Sequence, residues 1–237
     1  MSKILLADDD PSVLALLDQL FRDAGHETVT ASDGVSALRQ FFASHSDVAV
    51  VDMRMPLMDG LELCRRIREV SHIPVLMLTG LEDINDKVSA FTAGADDYVT
   101  KPASPRELLV RVQACLRRSQ WPQTGAATTS FADGYLSVDF GRREVSVNGA
   151  PRELTPIEYG LLSLLIQRAG EALSVEYLLS TVWGREYDTF DLVKWHISNL
   201  RRKLQNGHGS EGEGPILTVR GYGYRYKSPA KRSAASV

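Results

Sequence analysis

A chain of 237 residues has room for two ordinary domains, each with its own core. Its 43% hydrophobic and 24% charged residues are the proportions of water-soluble globular proteins, and no apolar run approaches the roughly 18 residues that would span a bilayer. The formal net charge is −3, with 18 acidic against 13 basic side chains in residues 1–120 and 12 against 14 in the remainder, an asymmetry too modest by itself to point to nucleic acid. The opening MSKILLADDD has one Lys and a short apolar stretch before an acidic cluster, which predicts no signal peptide. Cys64 and Cys115 are far apart and lack metal-type or redox spacing, so both are expected as buried thiols of a cytoplasmic protein.

In the first half, short apolar runs alternate with amphipathic stretches. Ile4–Ala7, Thr28–Ala31, Val48–Val51, Val75–Leu78 and Tyr98–Thr100 are predicted strands, four of them continuous enough to be buried on both faces of a parallel sheet. In the first intervening helix Val13, Leu17, Leu20, Phe21 and Ala24 share a face, with Asp10 as cap, Pro11 in the first turn and Gly25 at the end. Ser104-Pro105-Arg106-Glu107 has the pattern of a capping box opening the last one. Five strands and five helices in alternation predict a doubly wound α/β domain over residues 1–118.

Residues 119–130 lack periodicity and are rich in small and polar side chains, which predicts a linker. Beyond it the rhythm changes. Tyr135–Asp139 and Glu144–Val147 are predicted short strands, followed by the hairpin signal Asn148-Gly149. Thr155-Pro156-Ile157-Glu158 is a second capping-box pattern, opening a helix that ends near Gly170. Helices over about Val175–Trp183 and Leu192–Gln205 follow, then strands over Ile216–Arg220 and Tyr224–Lys227 around Gly221-Tyr222-Gly223. Strands, three helices and a closing hairpin give the order of an α+β winged helix-turn-helix domain with an extra N-terminal sheet, over residues 131–228, with a tail at 229–237.

Open parallel sheets hold ligands at the carboxyl ends of their strands. There the first run delivers Asp8, Asp9 and Asp10, the third Asp52, the fourth Thr79, and the fifth is followed by Lys101-Pro102. Carboxylates converging on one edge repel unless a cation joins them, and oxygen ligands with room for water suit Mg²⁺. A carboxylate beside such a metal can act as a nucleophile toward a phosphoryl group, with a Lys and a Thr neutralising the developing charge. Asp10, taken alone, reads as a helix cap.

The stretches Ile4-Leu5-Leu6-Ala7-Asp8-Asp9-Asp10, Val50 to Gly60 (VVDMRMPLMDG) and Gly94 to Pro102 (GADDYVTKP) resemble the receiver domains of two-component signalling. The resemblance implies that Asp52 accepts a phosphoryl group from a sensor histidine kinase. It implies that Asp8, Asp9, Asp52 and the main-chain carbonyl of Arg54 hold Mg²⁺, and that Lys101, before a cis proline bond, pairs with the phosphoryl group. Thr79 and Tyr98 would report phosphorylation to the face made by the fourth helix, fifth strand and fifth helix. On that face the resemblance implies a two-fold homodimer with Lys87 opposite Glu107, Asp97 opposite Arg111, and Asp96 opposite Arg118. Arg54 and Leu81, at the two positions that vary in this family, cannot position an attacking water, and slow self-dephosphorylation is expected.

On the last helix Val193, Ile197, Leu200 and Leu204 form one stripe, and the opposite face carries Trp195, Ser198, Asn199 and Arg202, flanked by Lys194, Arg201 and Lys203. A Trp turned from its core among cations suits a surface that meets a partner, as a recognition helix does in the major groove. Glu153 to Tyr159 (ELTPIEY), Leu178 to Gly184 (LLSTVWG), His196 to Leu204 (HISNLRRKL) and Thr218 to Arg225 (TVRGYGYR) resemble the effector domain of OmpR/PhoB regulators. The resemblance implies double-stranded promoter DNA with direct-repeat half-sites, Lys194, Trp195, Ser198, Asn199, Arg201 and Arg202 on the helix, Thr218 on a phosphate and Arg220 in a minor groove. It also implies a contact with RNA polymerase through the loop Arg185 to Phe190. The acidic loop 206–214 is assigned no DNA contact. A haloacid-dehalogenase-type phosphatase is the competing class, mimicked by Asp8, Asp10, Thr79 and Lys101, but it leaves Asp52 and the second half without roles. No enzyme activity is expected beyond the chain's own phosphoryl transfer and dephosphorylation. A regulator indifferent to phosphorylation is the other alternative, and the complete acidic set argues against it.

Overall fold

The computed structural model describes residues 1–80, 84–119, 130–185, 187–205 and 214–228, so the expected linker, the loop 206–214, the tail and Leu81 lie wholly or largely outside the described residues. The chain divides into two compact units, Met1–Gln120 and Trp121–Val237.

In the first unit β1 (Lys3–Ala7), α1 (Pro11–Asp23), β2 (Glu27–Ala31), α2 (Gly34–Ser44), β3 (Val48–Asp52), α3 (Gly60–Arg68), β4 (Val75–Thr79), α4 (Ile84–Ala93), β5 (Asp97–Thr100) and α5 (Pro105–Ser119) alternate as predicted. The strands form one sheet in the order β2-β1-β3-β4-β5, and every pair is parallel. The side-chain period of two sorts each strand between two cores. Leu5, Ala7, Ala49, Val51 and Met77 pack with Ala37 and Phe41 of α2, Leu63, Cys64 and Ile67 of α3 and Ala90 of α4. Ile4, Leu6, Val48, Val50, Leu76, Leu78 and Val99 pack on the other face with Leu17 and Phe21 of α1 and Leu108, Val112 and Cys115 of α5. Each fully buried aliphatic side chain contributes on the order of 1.5–3 kcal/mol.

The strand order reverses at β1, so the connections out of β1 and β3 leave on opposite faces and open a crevice at their carboxyl ends. Gly60 closes the floor of the loop that follows β3. Its N–H donates to the carbonyl of Met53 at 3.0 Å, and a Cβ there would collide with the main-chain carbonyl of Asp52.

The second unit begins with β6 (Ser130–Ala132), β7 (Leu136–Asp139), β8 (Glu144–Val147) and β9 (Ala150–Pro151), an antiparallel sheet in that order. Asn148 (φ 49°) and Gly149 (φ 78°) make the expected two-residue turn between β8 and β9. Strands β6 and β9 are too short to show periodicity, which is why the sequence pattern misses them. Then come α6 (Pro156–Gln167), β10 (Leu173–Ser174), α7 (Val175–Val182), α8 (Asp191–Leu204), β11 (Ile216–Val219) and β12 (Gly223–Tyr226), with the last three strands ordered β10-β12-β11. Val193, Ile197, Leu200 and Leu204 of α8 are all buried, as are Leu161, Leu162 and Leu165 of α6 and Leu178 and Val182 of α7. The capping box of α6 is complete: the Glu158 N–H donates to Thr155 Oγ1 at 3.3 Å and the Thr155 N–H to Glu158 Oε2 at 2.8 Å. Lys203 of α8 adds a donor to the same oxygen at 2.7 Å. At α5 only half of the expected box forms. The Glu107 N–H donates to Ser104 Oγ at 3.1 Å, while the Glu107 carboxylate accepts from Arg111 at 3.0 Å.

Candidate functional site

At the crevice, β1 runs out into Asp8 and β3 ends in Asp52. Asp8 is fully buried and Asp52 is 6% exposed. Lys101 follows β5, and its N–H donates to the carbonyl of Thr79 at 2.6 Å, which ties the ends of β4 and β5 together. The Lys101–Pro102 peptide is cis, as expected. The Lys101 ammonium reaches across the sheet edge to Asp8 Oδ2 at 2.6 Å and Asp52 Oδ1 at 2.5 Å. The second oxygen of Asp52 accepts from the Arg54 N–H at 2.8 Å, and Asp8 Oδ1 accepts from the Asp10 N–H at 3.0 Å. Thr79 is buried at the end of β4.

Burial pushes the Asp52 carboxyl above its ordinary range, helped by the Asp8 charge, although the Lys101 ammonium and the Arg54 N–H pull it down. Burial opposes the Lys101 charge, but its hydrogen bonds to Asp52 and Asp8 and their charges hold its pKa above the ordinary value. Two buried carboxylates share one ammonium, which leaves the cluster with a formal excess of one negative charge. That excess and an all-oxygen donor set fit a hard divalent cation, which needs only one or two carboxylates and keeps several waters. Among the described residues no three acidic, His or Cys side chains cluster closely enough to form a ready ligand set, so exposed Asp9 is not gathered with Asp8 and Asp52.

Asp10 has a different task. Its side chain accepts from the Ser12 N–H at 2.8 Å and caps α1, so it is committed to the helix and not to proton transfer. Its expected reading as a helix cap is what the structure shows.

In the second unit, exposed and half-buried residues of α8 form a polar face opposite the buried stripe. Lys194, Ser198 and Arg202 are exposed, and Trp195, Asn199 and Arg201 are half-buried. Lys194 pairs with Asp191 at 2.8 Å, and Arg202 donates to Asn199 Oδ1 at 3.2 Å. Arg201 turns toward the β11–β12 hairpin, donating to the Ile216 carbonyl at 3.0 Å and Thr218 Oγ1 at 2.7 Å. Arg220 is exposed in the hairpin turn, with Tyr222 exposed beside it.

Residues 4–113 match the family described as response regulator receiver domain, and residues 149–226 match transcriptional regulatory protein, C terminal. The chain is similar to the "Probable transcriptional regulator ycf27" of Cyanophora paradoxa, with 40% identity over 233 residues, covering 95% of this chain and 96% of that one. The chain is a response regulator. An "Uncharacterized transcriptional regulatory protein YclJ" of Bacillus subtilis (strain 168) is 38% identical, with 94% of this chain and 98% of that one covered. A solved structure of a RitR mutant shares the fold, with a TM-score of 0.77 at 22% identity and coverage of 96% and 99%. A receiver followed by a transcriptional regulatory DNA-binding domain is the OmpR/PhoB arrangement, and the regulator has it.

The face of the regulator made by α4, β5 and α5 differs from its expectation at two residues, since Asp97, like Asp96, is buried. Asp96 is 1% exposed and is not a surface charge. Arg68, at the end of α3, donates to Asp96 Oδ2 at 2.6 Å and to the carbonyls of Ile73 at 2.6 Å and Gly94 at 2.8 Å, and the Val75 N–H donates to the same Asp96 oxygen at 2.8 Å. This hold draws Asp96 beneath the face, while the side chain of Arg118, its expected partner, lies outside the described residues. Asp97 and Arg111 do meet, at 3.2 Å, within one chain. Lys87 lies over the Tyr98 ring at 4.9 Å from its centroid, and Phe91 meets that ring edge-on at 5.7 Å. Sequence reasoning missed Arg68 and also Asp86, which pairs with Arg54 at 3.7 Å, because neither partnership has a local signature. No helix among the described residues is long and apolar enough to cross a membrane.

Proposed function

We propose that residues 1–118 accept a phosphoryl group on Asp52 from a sensor histidine kinase, and that this drives residues 131–228 onto promoter DNA. The observation that carries the reading is the single Lys101 ammonium held at 2.5 Å from Asp52 and 2.6 Å from Asp8. An Asp52 oxygen attacks phosphorus as the phosphorus–nitrogen bond to the kinase histidine breaks. The Arg54 N–H holds the other Asp52 oxygen, which keeps the attacking one directed outward. Lys101 then exchanges its carboxylate contact for the phosphoryl oxygens, and the Thr79 hydroxyl takes up a further one. Mg²⁺ would be held by Asp8, Asp52 and the main-chain carbonyl of Arg54, with Asp9 turning in from its exposed position, and would supply the neutralising charge that one ammonium cannot.

With Thr79 drawn to the phosphoryl group, Tyr98 follows inward and Lys87 loses its aromatic seat. The α4-β5-α5 face then favours a homodimer in which Lys87 pairs with Glu107 across the two-fold axis and Asp97 exchanges its own Arg111 for the partner's. The part-exposed Lys87–Glu107 pair is worth only about 0–1 kcal/mol, so it selects the face and not the strength, while Asp97 is buried. Two winged helices on one dimer engage direct-repeat half-sites, and affinity rises through effective concentration. The α8 face with Lys194, Trp195, Ser198, Asn199 and Arg202 lies along the major groove, Arg220 reaches a minor groove, and the loop before α8 meets RNA polymerase. The protein works in the cytoplasm.

The test is dimerisation and gel-shift binding to the region upstream of its own gene, with and without a small phosphodonor plus Mg²⁺, for wild type and Asp52→Asn. Strengthening of both in the wild type alone is the expected result. Equal binding in all four samples would make the receiver a constitutive dimer module and sink the phosphorylation mechanism.

A further inference from the structure

Arg201 sits on the polar side of α8 but does not extend from it. Its Nε donates to the main-chain carbonyl of Ile216 at 3.0 Å, its Nη2 donates to Thr218 Oγ1 at 2.7 Å, and its plane lies 5.5 Å from the Tyr224 ring centroid. Three restraints on one planar group fix both its position and its tilt, and all three come from the β11–β12 hairpin. Lys194 and Arg202, by contrast, are exposed and form their hydrogen bonds within α8.

Thr218 is exposed on β11. A hydroxyl has one proton and two acceptor sites, and an Arg has donors only. The bond from Arg201 therefore fills an acceptor site of Thr218 and forces the hydroxyl proton to point away from the guanidinium. A neighbouring cation also polarises that hydroxyl and makes it a better donor to an anion. Lys194 is close enough to Tyr224 to act on its phenol electrostatically, as Arg201 does, so a second cation borders the same patch.

We infer that Arg201 is a positioning residue for DNA binding: it aims the Thr218 hydroxyl at a backbone phosphate and fixes the β11–β12 hairpin against α8, without itself serving as a phosphate ligand. This rests on the DNA-binding reading of the second unit. It replaces the expectation that Arg201 contacts DNA directly. The pairing needs the fork of a guanidinium, because Nε and Nη2 serve two acceptors on different residues. An ammonium keeps the charge but presents no rigid planar fork to hold both acceptors at this spacing.

Phosphate contacts are sequence-independent, so mixed-sequence duplex DNA serves as the probe, with the full-length protein titrated over a range of salt. Thr218→Val is expected to weaken binding about tenfold, the scale of one hydrogen bond to a charged group, while Thr218→Ser stays within about twofold. Arg201→Lys is expected to weaken binding by a similar factor despite its retained charge, and Thr218→Val/Arg201→Lys to be no worse than either single variant. The slope of log K against log salt should change by less than about 0.3 in Arg201→Gln, where loss of a direct phosphate ligand would change it by about 0.9. Wild-type affinity in Arg201→Lys, additive losses in the double variant, or a slope change near 0.9 would each overturn the inference. Because Thr218 is exposed, its Val and Ser variants keep the test decisive even where an Arg201 variant fails to fold. Failure of the wild type to bind any duplex would instead remove the DNA-binding reading beneath it.

Discussion

At Gly60 the absence of a side chain is what lets the loop after β3 close against the Asp52 carbonyl. Gly60→Ala is expected to destabilise the receiver by about 1–3 kcal/mol, as overpacking does, and to slow phosphorylation by shifting Asp52. Urea unfolding of wild type and variant measures the first effect. Asp52 itself works against stability. Its folded-state pKa lies above its ordinary value, so the folded receiver binds more protons than the unfolded chain, and stability falls as pH rises from about 4 through the folded pKa. Asp52→Asn should accordingly stabilise the receiver at neutral pH. The gain should shrink as pH falls toward 4, because the wild-type carboxyl is then protonated. A constant gain from pH 4 to 8 would contradict the assigned cause. Asp8, Asp52 and Thr79 were legible in the sequence because each ends or follows a strand whose apolar run is unmistakable, and Lys101 because Lys101-Pro102 closes a fifth, less apolar one. The Arg68–Asp96 bond was not, since it joins residues 28 apart and depends on how α3 meets β4.

The parallel sheet was readable as an element pattern because β1, β3 and β4 are buried over nearly their whole lengths. Strands β6, β9 and β10, of two or three residues, carry no such pattern and exist by pairing alone. In the second unit Tyr226 OH donates to Asp133 Oδ2 at 2.6 Å, joining β12 to the loop between β6 and β7. Burial would raise the Asp133 pKa, but the Leu136 and Tyr135 N–H groups and the Tyr226 hydroxyl outweigh it and hold it below its ordinary value. A depressed carboxyl stabilises above its unfolded pKa of about 4 and ceases to as pH falls through the folded one. Tyr226→Phe should cost about 1–2 kcal/mol at neutral pH and flatten the acid side of the stability profile. A profile parallel to the wild type would show that Asp133 keeps its stabilisation from the main chain alone.

For the molecule as a whole, the proposed dimer makes a charge-swap prediction. Lys87→Glu and Glu107→Lys should each weaken phosphodonor-driven dimerisation about fivefold, and the double swap should restore it, measured by sedimentation at low salt. Raising the salt should narrow all three differences, because exposed pairs are screened. Loss without restoration would place the two residues outside the interface. The division into two units, the receiver-like first half and the winged helix were all readable, since composition and rhythm both change after residue 119. The intramolecular Asp97–Arg111 pair was not, because opposite charges on neighbouring elements do not say which copy they belong to.

Glu158 has a reach beyond its own helix. Its carboxylate closes the first turn of α6 and also anchors Lys203 in the last turn of α8. That tether ties the first turn of α6 to the last turn of α8, as a fret pins a string. One helical turn is about 5.4 Å, more than the roughly 3.4 Å between successive bases on one DNA strand. In the proposed complex, the register of α8 in a groove would thus be held from behind, by a residue buried in the domain's own core.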